Sequence, residues 1–177
     1  MGLPFVVSVF FRGAILTNRK NNMADLYLGL GSNLGDRKRN ITNATMLIGG
    51  LMGKLKVLSS LYETEPWGFE SEHKFMNAVV LVETEHEPEL CLKMVNAIER
   101  EMGRVRTGEA GFHDRPIDID LLLYDDRIID TPDLKVPHPL MLQRDFVLRP
   151  LAEIAPDLIH PVAKKSIREL FEKVKRE

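Results

Sequence analysis

The chain has 177 residues, 44% of them hydrophobic and 28% charged, with a formal net charge of −2. Those values fit one globular domain with its own core, needing neither disulfides nor a structural metal. The slight negative charge argues against an extended nucleic-acid surface but leaves room for a small anionic substrate, which needs only local arginines. The single cysteine, Cys91, lies in an apolar-periodic segment and reads as a small buried hydrophobe of a reducing, cytoplasmic compartment.

Residues 1–22 differ in character from the rest of the chain. Residues 3–11 are largely apolar, too short to span a bilayer, and lack the basic start of a secretory signal. Met23 stands just before the first strand pattern. Residues 1–22 are therefore expected to be a disordered extension or sequence upstream of the true start, and residues 23–177 a single domain.

Residues 26–30 read as a short strand ending at Gly29, Gly31 and the turn residues Ser32 and Asn33. From Asp36 the period becomes helical, with Ile41, Ala44, Leu47, Ile48 and Leu51 at three- and four-residue steps and Gly53 as the stop. Residues 56–62 predict a second strand and 75–82 a third, separated by a loop punctuated by Pro66 and Gly68. Pro88 opens a second helix, in which Leu90, Met94, Val95, Ile98 and Met102 form the buried stripe and Gly103 closes it. Asn96 and Glu99 are assigned to its polar face. A basic, Gly-rich loop runs from Arg104 through Arg106 to Gly111, an acidic strand comes next, and a final helix is expected near 166–175. The order is β-α-β-β-α-β, which predicts an α/β (α+β) ferredoxin-like sandwich with a C-terminal helical extension.

The chemistry concentrates in Arg115-Pro116-Ile117-Asp118-Ile119-Asp120, succeeded by an apolar run. On a strand, residues i and i+2 share a face, so Asp118 and Asp120 project together while Ile117, Ile119 and Leu121 fill the other side. Paired carboxylates repel unless a cation lies between them, and Mg²⁺ with phosphate oxygens suits that position. Arg104, Arg106 and Arg115 flank the pair and supply planar forks for phosphate. A solvated strand face and a nucleotide-sugar transferase remain alternatives on spacing alone. Residues 29–35 match neither a dinucleotide fingerprint nor a P-loop. His138 and Arg144 come after a proline-rich turn, and Phe75, Phe146 and Trp67 border loops. Two aromatic rings suit a flat heterocycle, with Asn77 reading its edge through a donor and an acceptor.

Taken in order, Gly29-Leu30-Gly31-Ser32-Asn33, Tyr62-Glu63-Thr64-Glu65-Pro66-Trp67-Gly68, Phe75-Met76-Asn77-Ala78, Gly103-Arg104-Val105-Arg106, the acidic strand and Val136-Pro137-His138 resemble the 6-hydroxymethyl-7,8-dihydropterin pyrophosphokinases of folate synthesis. The resemblance implies a ferredoxin-like fold and transfer of pyrophosphate from ATP to the pterin hydroxymethyl group, with AMP released. It implies two Mg²⁺ ions on Asp118 and Asp120. Arg104, Arg115, His138 and Arg144 would contact the triphosphate, with Asn96 and Glu99 near the nucleotide. Arg104, Arg115, Asp118 and Asp120 would form the catalytic set. Phe75 and Phe146 would stack on the pterin, Asn77 would bond its edge, and Thr64 and Trp67 would help through their backbone.

Loops around 63–74 and 106–114 would close over both substrates. The chain departs from the family pattern at Phe112, commonly Trp, at His113-Asp114, commonly a small residue and Pro, and at Asp133, often Arg. A cytoplasmic monomer without nucleic-acid or membrane partners is expected. The remaining alternative is a ferredoxin-like module that binds a metal–nucleotide complex without turnover.

Overall fold

The computed structural model of the protein describes residues 23–105 and 113–176, so the expected N-terminal extension and residues 106–112 lie outside it. Strand β1 (Ala24–Ser32) is the axis of the fold. Its leucines 26, 28 and 30 alternate onto one face and are at most 2% exposed. It pairs antiparallel with β4 (Phe75–Thr84) on one side and β5 (Asp118–Tyr124) on the other. Strand β2 (Lys54–Leu58) lies outside β4, giving the order β2-β4-β1-β5, and the short β3 (Tyr62–Thr64) also pairs with β4. This is the predicted ferredoxin-like arrangement.

Helices α1 (Arg37–Leu51) and α2 (Pro88–Glu101) bury their apolar stripes against the leucine face. Asp36 caps α1 by accepting a hydrogen bond from the Arg39 N–H. The chain leaves α1 through Gly53 at φ +144°, where a Cβ would lie 2.2 Å from the Glu83 carbonyl oxygen, so only glycine fits.

The opposite face of the sheet has its own apolar cluster. Tyr27, Val79 and Leu122 meet Val147, Leu148 and Leu151 of α3 (Asp145–Ile154) and Ile167 and Leu170 of α4 (Ile167–Val174). Ser166 and Glu169 close the start of α4 with a reciprocal capping box. A small hairpin, β6 (Ile129–Asp130) and β7 (Lys135–Val136), precedes the cis Val136–Pro137 peptide. The His138 N–H then donates to the Leu122 carbonyl, placing that turn along the outer edge of β5.

Three expectations need correction. β1 does not stop at its glycines but runs through Gly29 and Gly31 to Ser32. The predicted strand at 56–62 is two strands, because the Ser59 hydroxyl takes the Val79 N–H and Glu153 takes the Ser60 N–H, drawing the chain out of the ladder. Helix α3 has no counterpart among the expected elements, since Pro150 lies within it and proline ordinarily signals a break. Its strong amphipathic face outweighs that penalty.

Candidate active site

Because side chains alternate, Gly29 and Gly31 of β1, Phe75 and Asn77 of β4, and Asp118 and Asp120 of β5 all belong to the sheet face turned away from α1 and α2. α3 covers only part of that face. The uncovered part is an open cleft, lined also by Thr64, Trp67, Phe69, Arg115, Arg144 and Phe146. The glycines make this possible: a Cβ at Gly31 would stand 3.1 Å from the Asn77 Oδ1 and 3.6 Å from the Phe75 ring.

Four cationic or neutral donors converge on the carboxylate pair. Arg104 and Arg115 donate to opposite oxygens of Asp118, the Arg115 contact at 2.6 Å. Arg144 donates to Asp120 at 3.3 Å, and the His138 Nε2 stands 3.9 Å from the same oxygen. Burial pushes the Asp118 carboxyl up, but Arg115 and Arg104 outweigh it and hold it below the usual aspartate range. Asp120 moves the other way: burial, and then the neighbouring Asp118 charge, raise it to about 7 despite Arg144. His138 accepts the Leu140 N–H at Nδ1, so its proton belongs on the Nε2 that faces Asp120. Burial, helped by the Arg144 charge, depresses that imidazole to about 4, which keeps it neutral at pH 7.

Beyond the carboxylates the wall is aromatic. The Arg115 guanidinium lies 5.2 Å from the Phe75 ring centroid, with Phe69 edge-on to that ring at 6.1 Å. The Arg144 guanidinium lies 4.8 Å from Trp67 and 5.6 Å from Phe146. Between the two groups the Asn77 amide donates to the Thr64 hydroxyl at 2.8 Å, which fixes its orientation. The cleft thus offers a carboxylate pair with phosphate-seeking arginines at one side and a flat apolar wall with one oriented amide at the other.

Comparison with known proteins agrees with this geometry. Residues 27–156 match the family model described as 7,8-dihydro-6-hydroxymethylpterin-pyrophosphokinase (HPPK). The chain belongs to the HPPK family. A 2-amino-4-hydroxy-6-hydroxymethyldihydropteridine pyrophosphokinase of Porphyromonas gingivalis is 51% identical over 143 residues, covering 80% of this chain and 97% of the relative. A folic acid synthesis protein of Pneumocystis carinii is 43% identical over 151 residues, 84% of this chain and 20% of that longer protein. Among solved structures, the Plasmodium falciparum HPPK-DHPS chain with SDX-DHP superposes with TM-score 0.71 at 18% identity, over 88% of this chain and 45% of that one. That likeness speaks for the fold.

The cleft brings together nine of the predicted residues: Thr64, Trp67, Phe75, Asn77, Arg115, Asp118, Asp120, Arg144 and Phe146. Arg104 and His138 join through the carboxylates. Asn96 is half-buried on α2 and is not among the lining residues. Glu99 corrects its expected place on a polar face, being only 2% exposed. Its carboxylate receives both Arg104 and the Ile119 N–H, the latter at 2.9 Å, and so props the arginine and the acidic strand from behind. Asp133 lies in the β6–β7 connection, and Arg106 and Phe112 fall outside the described residues.

Sequence reasoning missed Phe69 and the two strand glycines. A Gly-x-Gly alternation in a strand beside a period-2 acidic pair was the available signal for the glycines.

The donor set suits Mg²⁺. Two hard carboxylates lie side by side, and among the described residues no group of three or more His, Cys, Asp or Glu side chains forms a closed cage. An ion held by one or two carboxylates completes its shell from substrate phosphates and water, the usual arrangement for Mg²⁺.

Proposed function

We propose that this chain transfers the pyrophosphoryl group of ATP to the hydroxymethyl oxygen of 6-hydroxymethyl-7,8-dihydropterin, giving AMP and the pterin diphosphate in folate synthesis. The observation that carries the reading is the cleft in which the Asp118–Asp120 pair and its arginines face an aromatic wall with an oriented Asn77. Family membership over residues 27–156 supports the same reaction.

Asp118 and Asp120 are the residues to hold metal, as two Mg²⁺ ions in our reading. Bound there, Mg²⁺ neutralises phosphate charge and polarises the phosphoryl oxygens. Arg104, Arg115 and Arg144 follow the charge that moves from the β-phosphorus towards the departing AMP. Neutral His138 contributes a directed N–H to the triphosphate, not a charge. Asn96 stands near the nucleotide. Glu99 acts behind Arg104, away from the substrate.

On the acceptor side, Phe75 and Phe146 stack on the pterin. Asn77, held by Thr64, reads its edge, and the backbone of Thr64 and Trp67 completes the slot. Holding the hydroxymethyl oxygen in line with the β-phosphorus supplies most of what this chemistry needs.

The same reading has residues 23–177 acting as one domain, as a cytoplasmic monomer on small-molecule substrates. Among the described residues no helix is long and apolar enough to cross a membrane. Nothing in the cleft favours the alternative of a metal–nucleotide module without turnover, which would have no use for the aromatic wall. Incubation with ATP, Mg²⁺ and the pterin, with separation of the nucleotides afterwards, tests the proposal. Pterin-dependent AMP is expected. ATP consumption that ignores the pterin, or none at all, overturns it.

A further inference from the structure

Asn33 and Asp114 take no part in the chemistry above, yet they tie three segments of the site together. Asn33 comes directly after β1 and is 3% exposed. Its Oδ1 accepts the Arg115 N–H at 2.8 Å, and its own N–H donates to the Arg115 carbonyl at 3.2 Å. Its Nδ2 donates to the Asp114 Oδ1 at 2.6 Å and to the His73 carbonyl at 3.3 Å. Every polar atom of a buried amide is thus engaged, and each bond leads to one of two chain segments.

One segment, residues 65–74, carries Trp67 and Phe69 and leads into Phe75. The other delivers Arg115 to Asp118. Asp114 is the outer half of the connection. Burial pushes its carboxyl up, but hydrogen bonds from Ser71 and Asn33 and the charges of His73 and Arg115 prevail and hold it below the usual aspartate range. Ser71 in turn accepts the His73 N–H at 3.0 Å. A small residue and proline, which the family resemblance leads one to expect before Arg115, would lack the carboxylate that makes this link.

We propose that Asn33 and Asp114 are positioning residues that clasp the aromatic segment to the backbone of Arg115, setting the pterin wall at a fixed distance from the phosphate-binding arginine. The clasp rests on the function proposed above and gives this chain a registration device for its two substrates. Asp114 is exposed at the surface, so its loss disturbs the clasp without opening the core.

The test compares Asp114→Ala with Asp114→Asn in the full chain. Asparagine keeps an acceptor oxygen for the Asn33 amide; alanine does not. For Asp114→Ala the KM for the pterin is expected to rise roughly three- to tenfold, the range for a partly solvated hydrogen bond to a charged group, with kcat nearly unchanged. Trp67 is the only tryptophan of the chain, so acrylamide quenching of its fluorescence reports the clasped segment directly. It should become more quenchable in Asp114→Ala and stay as in the wild type in Asp114→Asn.

Wild-type KM and quenching in the alanine variant would overturn the clasp. So would equal losses in both variants, which would assign the effect to charge alone. The quenching needs no turnover, so it reads the clasp even where the pterin reaction fails, and wild-type AMP formation reads the reaction independently.

Discussion

Replacing Asp118 by asparagine removes one negative charge from the centre of the site while keeping its shape. Asp118 accepts from Arg104 and Arg115 on its two oxygens, and its side chain is 19% exposed. In the variant Arg104 keeps Glu99 and Arg115 keeps the face of Phe75, so both cations retain a partner and the fold is expected to persist. Asp120 loses the like charge that helps raise it, so it ionises more readily, but a single carboxylate remains to hold metal.

Loss of a hard anionic ligand at a metal that stabilises the transferred phosphate removes about 4 kcal/mol, or roughly a thousandfold in rate at ~1.4 kcal/mol per decade. The assay is the initial rate of AMP formation across a Mg²⁺ titration at saturating ATP and pterin, with a melting curve to confirm folding. A folded Asp118→Asn enzyme within tenfold of wild type at ordinary Mg²⁺ would refute the assignment of this pair to metal.

If Asp120 holds metal as proposed, proton and metal would compete for its oxygens, so with the carboxyl raised to about 7, apparent Mg²⁺ affinity should weaken as pH falls below 7, by up to about tenfold per unit. Calorimetric titration of Mg²⁺ with a non-hydrolysable ATP analogue at pH 6 and 8 measures this, and a pH-independent affinity would count against it. Glu99→Ala should cost about 2–4 kcal/mol of stability, because it strands the Ile119 N–H and strips Arg104 of one of its two carboxylates; thermal melting reads the loss. Gly31→Ala should raise the pterin KM and leave the ATP KM alone, since the new methyl would crowd the Asn77 amide from 3.1 Å. Steady-state kinetics with each substrate varied separates the two effects.

Much of the site was legible because it obeys local periods. Asp118 and Asp120 share a face by the two-residue repeat of a strand, and the leucines of β5 place that strand in the core without reference to anything distant. Pro88 and Gly103 bracket α2 for equally local reasons. What stayed hidden depends on partners far along the chain. Glu99 looks like a surface residue until Arg104 and the Ile119 N–H, 20 residues away, are seen to bury it. Gly29 and Gly31 look like turn residues until β4 and β5 pair on either side and the missing side chains become the floor of the cleft. α3 was concealed by Pro150, whose cost is offset by an apolar face packed on Tyr27, Val79 and Leu122. The departure at His113-Asp114 was visible as an oddity, but its Asn33 partner lies 81 residues from Asp114.

Whether both terminal phosphoryl groups move together is best tested with ATP carrying ³²P at the β and γ positions, Mg²⁺ and the pterin. If Asp118, Asp120 and the arginines hold ATP for attack at the β-phosphorus, both labels appear on the pterin diphosphate and the AMP is unlabelled. Transfer of the γ label alone, with labelled ADP left behind, would contradict that chemistry.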